Sequence, residues 1–135
     1  MIKIVTVLLM FSVSLLALDW VKDIDSAISI AQKEHKSIMV MVEGSHCGWC
    51  KRMKNQTLSD KSIEKRLEKF ILVKVMREDS ITMTKLPAVH GVPTIFFMKD
   101  DKTILEEVVG YFGVQDFISY INDVETKLQI DSSKK

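Results

Sequence analysis

Two cysteines, two prolines and five glycines are all that this 135-residue chain holds of the residues that staple or punctuate a fold. Two cysteines cannot hold together a small scaffold of several bridges. Stability must therefore come from apolar packing, and a chemical role for the pair gains weight. An excess of charge is also missing: the formal net charge is +1, and with Lys3 set aside the basic and acidic side chains number 18 each. That balance leaves no electrostatic case for nucleic acid or for an anionic membrane surface. No apolar run reaches the roughly 20 residues of a membrane span, and no internal repeat, low-complexity tract or linker interrupts the chain. What is present, 47% hydrophobic and 27% charged residues, is the composition of one globular domain with a core of its own.

The first residues are a different material. Met1-Ile2-Lys3 is a short basic start, and Ile4 to Leu18 carries no charge and only Thr6, Ser12 and Ser14 as polar residues before Asp19 ends the run. This is the pattern of a secretory signal. Ala17 offers a cleavage point, although Leu15 fits a small-x-small site poorly, so an uncleaved N-terminal anchor over 1–18 is the alternative. No cysteine follows the run closely enough to be a lipid attachment point. Export places the domain where disulfides persist.

The rest divides into a domain over 19–130 and a polar tail over 131–135. Residues 19–35 read as a helix with Trp20, Ile24, Ala27, Ile28 and Ala31 on one face and Asp19 as its cap. Ser37 to Glu43 is a buried strand. A helix from Gly48 to Leu58 turns Trp49 and Met53 inward, and Lys51, Arg52 and Lys54 form a solvated face. Asp60 caps a third helix carrying Ile63, Leu67 and Phe70. Ile71 to Met76 is a second strand. Residues 77–91 read as a loop with one helical turn, broken at Pro87. Pro93–Met98 and Thr103–Val109 make an antiparallel hairpin around Asp100-Asp101-Lys102. A last helix spans Val114–Leu128, with Phe117, Ile121, Val124 and Leu128 on its buried side. The first two strands need a right-handed crossover and are parallel. The expected fold is α/β: a mixed central sheet of about four strands, flanked by helices on both faces.

Cys47 and Cys50 sit where the first strand hands over to a helix. Three positions place both sulfurs within bridging reach, and exposed N–H groups at a helix start favour a thiolate. The rival uses of these residues are fewer. Cys47 and Cys50 with His46 and His90 form no second tight ligand pair of the kind a structural zinc needs, and copper held by the dithiol with Met53 or His46 is the remaining metal reading. Lys51 stands where a c-type haem site needs histidine. No metal and no cofactor is expected. One inert structural bridge is a further alternative. Gly48 leaves the approach to Cys47 open. Trp49 is either a packing residue or part of an apolar rim for an unfolded chain. His46 is either a turn residue or a source of positive charge beside Cys47. His90 is a loop residue or a groove residue, and Met83, in the loop, is a candidate for contact with substrate.

Three segments together carry a resemblance: "IMVMVEGSHCGWCKRM", "VHGVPTIFFMKDDK" and "VVGYFGVQDFISYI". The chain resembles the thioredoxin superfamily over about residues 19–128. In particular it is similar to exported bacterial thioredoxin-like proteins and to the C-terminal domain of the membrane thiol:disulfide interchange protein. The resemblance implies that Cys47 is the exposed nucleophile and Cys50 the buried resolving cysteine. It implies a cis peptide bond before Pro93, and backbone hydrogen bonds from Val92 to a bound substrate strand, with Trp49 beside them. It also implies a thiol:disulfide oxidoreductase. The absence of a histidine at Trp49 leans toward the reductase of protein disulfides over a thiol oxidase or disulfide isomerase. A metal or copper chaperone on the same fold is the reading from another class. The expected setting is the periplasm, as a monomer, with a disulfide-containing protein substrate and a membrane thiol electron donor as partners. One departure stands out. Many relatives carry a buried acid six positions before the first cysteine, where this chain has Met41. Glu43, two residues on and on the same strand face, is the candidate substitute, water being the other. His46, Glu43 and Lys51 are thus the expected modulators of the dithiol.

Overall fold

The computed structural model describes residues 18–135. The expected leader lies outside the described residues except for Leu18, which packs at the edge of the core. The elements are β1 (Trp20–Val21), α1 (Ile24–Glu34), β2 (Ile38–Glu43), α2 (Gly48–Arg52) continued by one π-helical turn (Met53–Thr57), α3 (Lys61–Leu67), β3 (Ile71–Met76), α4 (Ser80–Met83), β4 (Thr94–Met98), β5 (Ile104–Val109) and α5 (Val114–Ser133). The sheet has five strands in the order β1-β3-β2-β4-β5. Strands β1 and β2 run parallel to β3, while β4 is antiparallel to both β2 and β5.

β2 is central and entirely buried, and its alternation divides the core. Met39 and Met41 face a cluster with Cys50, Met53, Leu67, Phe97, Phe117 and Ile121, covered by α2, α3 and α5. Ile38, Val40 and Val42 face the other side with Ile24, Ala27, Ala31, Val73 and Phe96, covered by α1. A strand apolar on both faces needs helices on both faces of the sheet, and this chain supplies them.

Several boundaries differ from the sequence reading. The first helix begins at Ile24, and its cap is Asp23, whose Oδ1 accepts the Ser26 N–H at 2.8 Å, not Asp19. The residues before it, Trp20 and Val21, form a strand of their own on the edge of the sheet, so the sheet has one strand more than expected. Trp20 is only half buried there, with the Lys74 ammonium 4.8 Å from its ring centroid. The helix after the cysteines does not run on as a regular α-helix to Leu58: the i+5 hydrogen bonding of Met53–Thr57 interrupts it. Met53 is buried as expected, whereas Trp49 is 56% exposed and packs against Tyr111 and Arg52 outside both core clusters. The last helix continues through Ser133, and Asp131, expected in a frayed tail, is held by Lys99 at 2.7 Å. The third helix keeps its expected cap: Asp60 Oδ1 accepts from the Ser62 and Ile63 amides at 2.9 and 3.3 Å.

Candidate active site

β2 ends beneath a turn, Gly44-Ser45-His46, that lifts Cys47 to the mouth of the sheet. His46 takes up positive φ (56°), which reverses the chain within one residue. The turn is tied by the segment that follows β3: Glu78 Oε1 accepts the Ser45 N–H at 2.8 Å, and that hydrogen bond holds the Glu78 carboxyl below the usual carboxylate range. Cys47 then caps α2 in extended backbone, and its Sγ accepts the Cys50 N–H at 3.1 Å. The two sulfurs are bonded, with Cα atoms 5.3 Å apart. Cys47 is half buried, while Cys50 is 2% exposed and packs into the α2–α3–α5 core. One sulfur of the pair therefore faces solvent and the other faces the interior.

Opposite the turn stands the Gly91–Pro93 loop. The Val92–Pro93 peptide bond is cis, and Thr94 Oγ1 donates to the Gly91 carbonyl at 2.7 Å, closing the loop on itself. The loop and the turn touch: a Cβ built on Gly44 would lie 3.1 Å from Val92 Cγ2, so the absent side chain permits the contact.

The dithiol has two different flanks. On the β3 side an open cleft of about 600 Å³ is lined by His46, Cys47, Cys50, Lys51, Lys54 and Glu43, among others. Glu43, on the same strand face as Met41, is 9% exposed and pairs with Lys54 Nζ at 2.5 Å. Burial of a carboxylate is tolerated where a cation sits against it. On the opposite flank a recess of about 290 Å³ is lined by Trp49, Val92, Pro93, Gly110 and Tyr111.

Six of the residues singled out from sequence are thus gathered around the sulfurs on one flank or the other: Glu43, His46, Trp49, Lys51, Val92 and Pro93. His90 is exposed and lines neither recess, and Met83 packs against the α1-side core instead of presenting itself to a substrate. Among the described residues no group of three or more His, Cys, Asp or Glu side chains is placed to hold a metal ion. Sequence reasoning placed Lys54 on a solvated helix face, whereas it is partly buried against Glu43, and it missed Glu78 and Tyr111. Glu78 and Tyr111 lie 33 and 55 positions from the partners they hydrogen-bond, and no local pattern signals such contacts.

A family model described as a thioredoxin-like domain matches residues 24–125. In fold the chain is similar to a thioredoxin from Thermus thermophilus, with TM-score 0.70 and 22% identity over 83% of this chain and 90% of that one. It is similar to the oxidoreductase DsbH, with TM-score 0.66 and 21% identity over 79% and 83% of the two chains. The oxidised C-terminal domain of DsbD from Neisseria meningitidis superposes with TM-score 0.60 and 23% identity over 73% and 90%. No curated protein sequence matches the chain. A C-x-x-C disulfide carried on this scaffold supports thiol–disulfide exchange as the chemistry of the site.

Proposed function

The chain belongs to the thioredoxin-like domain family, and from that premise we propose that it is an exported thiol:disulfide oxidoreductase that reduces protein disulfides through Cys47 and Cys50. The observation that carries this reading is the asymmetry of the pair: Cys47 is reachable and receives the Cys50 N–H, while Cys50 is buried behind it. A donated N–H favours a charged sulfur over a neutral one, so in the dithiol form Cys47 is the nucleophile.

The Cys47 thiolate attacks one sulfur of the substrate disulfide. A Cys47–substrate bond forms, the substrate bond breaks, and the departing thiolate takes a proton from solvent. Cys50 then loses its proton and attacks Cys47 Sγ, which forms the intramolecular bond and releases the second substrate thiolate. Two electrons have passed to the substrate. Glu43, whose carboxylate lines the same cleft as Cys50, serves as the proton acceptor for the second step. Lys51 adds positive charge beside the nucleophile, and His46 does so only when protonated. Val92 and Pro93 present the backbone edge along which a substrate strand lies, and Trp49 borders it.

Recharging the pair outside the cytoplasm requires a thiol reductant from elsewhere, and the signal-like leader supports export, so a membrane-linked thiol donor completes the cycle. The decisive tests are two. A Cys50→Ala variant accumulates mixed disulfides at Cys47; accumulation in Cys47→Ala instead overturns the assignment. The reduction potential of the pair lies nearer the thioredoxin value of about −270 mV than the strongly oxidising value of about −120 mV; a value at the oxidising end makes the protein a thiol oxidase.

A further inference from the structure

We infer that Arg52 is a recognition site for a carboxylate on the substrate polypeptide, set beside an apolar recess that takes a neighbouring side chain of the same segment. This rests on the reductase reading and adds the kind of substrate the site selects.

Arg52 is exposed on α2 yet held still. Its guanidinium carbon lies 5.3 Å from the Trp49 ring centroid and 4.9 Å from that of Tyr111, and the two rings are 5.6 Å apart. Its Nε donates to Gln56 Oε1 at 2.9 Å, and the same oxygen accepts the Tyr111 hydroxyl at 3.1 Å. One side-chain oxygen thus fixes both the cation and the ring beneath it. Tyr111 in turn belongs to the segment anchored by Thr57 Oγ1, which donates to the Phe112 carbonyl at 2.6 Å.

The rest of the guanidinium is unused. Arg66, Lys54, Lys85, Lys99 and Lys127 each meet a carboxylate within 2.8 Å. Among the described residues Arg52 meets none, and its two Nη groups have no protein partner. A planar fork held in place with four N–H donors free matches a carboxylate in a bidentate pair, and little side-chain entropy remains to be lost on binding. α2 itself carries no acid, and Lys51 beside Arg52 adds to the positive field.

The recess next to this fork shares Trp49 and Tyr111 with it, and shares Val92 and Pro93 with the loop facing the dithiol. The recess therefore adjoins the cation through Trp49 and Tyr111 and the loop opposite the dithiol through Val92 and Pro93. Arg52 is five residues beyond Cys47, about 7–8 Å along the helix, the span of two to three residues of extended chain. The occupant is an extended protein segment with an apolar side chain next to its reactive cysteine and an Asp or Glu two to three residues away.

The test compares two disulfide-linked fluorogenic peptides, identical except for Glu or Lys three residues from the cysteine, reduced by the dithiol form of the full chain. Wild type reduces the Glu peptide about fivefold faster, the size expected of one solvent-facing ion pair, and the ratio shrinks as salt is raised. Arg52→Gln, verified as folded by its thermal transition, brings the ratio to about one. A wild-type ratio of one, or an unchanged ratio in Arg52→Gln, overturns the inference. The neutral bis(2-hydroxyethyl) disulfide separates the two levels: if wild type reduces it without distinguishing the peptides, recognition by Arg52 fails and the reductase reading stands; if wild type reduces none of the three, both fall.

Discussion

Lys54 Nζ reaches Glu43 Oε1 at 2.5 Å in the cleft that Cys47 and Cys50 also line, with Glu43 two residues along the strand from Met41, the position where the thioredoxin resemblance implies a buried acid. Lys54 comes from the π-helical turn and Glu43 from the end of β2. Removing the cation alone leaves a carboxylate in a site that is 9% exposed. Lys54→Met is therefore expected to lower stability by about 1–3 kcal/mol, between the values for exposed and for buried pairs. Replacing both, as Glu43→Met with Lys54→Met, recovers most of that loss, because no unpaired charge remains. Urea unfolding midpoints of the single and double variants check this. A double variant no more stable than Lys54→Met alone refutes the pairing as the cause.

The contact between Gly44 and Val92 makes a second prediction. A methyl at position 44 meets Val92 Cγ2 at 3.1 Å, so the valine side chain must give by a few tenths of an ångström. Val92 borders the edge proposed to align a substrate strand. Gly44→Ala is expected to slow insulin reduction by about two- to tenfold, the scale on which small misplacements act, with a smaller loss toward a small disulfide that does not use that edge. Equal losses toward both substrates point to damage at the sulfurs instead.

How much of this was legible depends on whether a contact is local. β2 and β3 show themselves as short apolar runs, Asp60 as a cap preceding a periodic segment, and Phe117, Ile121 and Val124 as one helical face; all three signals lie within a few residues. The position of the dithiol follows from them. β1 was invisible because two residues carry no period, and it exists only through its pairing of Trp20 with Leu72 and Val21 with Val73. The π-helical turn has no proline or glycine to announce it, and the sequence reading carried a regular helix through it. Trp49 and Met53, four apart, read as one helical face, yet the core extends under Met53 alone. The end of α5 depends on Lys99, 32 residues from Asp131. The Arg52, Gln56 and Tyr111 cluster likewise joins segments 55 residues apart, and only the folded chain brings them together.

A third prediction concerns Glu78 and pH. The Ser45 N–H holds its carboxyl below the ordinary range. A folded-state value depressed in this way means that the bond is fully formed above the unfolded value, about 4.3, and is lost as pH falls through the lower folded value. At neutral pH the Ser45 amide is therefore protected. Glu78→Ala raises its hydrogen-exchange rate by roughly an order of magnitude, and exchange-detected NMR measures it directly. The amides of α1, whose cap is Asp23, serve as the internal reference and stay unchanged. An unaltered Ser45 amide shows that the turn is held by other means.

The last prediction tests the core that carries Cys50. Phe97 is fully buried on β4, with its ring centroid 5.3 Å from Phe70 in an edge contact and 6.1 Å from Phe117. It joins the end of α3 to α5 on one face of the sheet. Truncation to alanine removes both aromatic contacts and opens a cavity that a central strand cannot collapse into, since β4 is hydrogen-bonded on both sides. Phe97→Ala is expected to lower stability by about 3–5 kcal/mol, a large share of the roughly 5–15 kcal/mol that holds a domain together. Phe97→Leu keeps most of the volume and is expected to cost under half as much. Chemical denaturation of the two variants gives the comparison. If the alanine variant loses no more than the leucine variant, the Phe70–Phe97–Phe117 stack is not what holds the helices to the sheet.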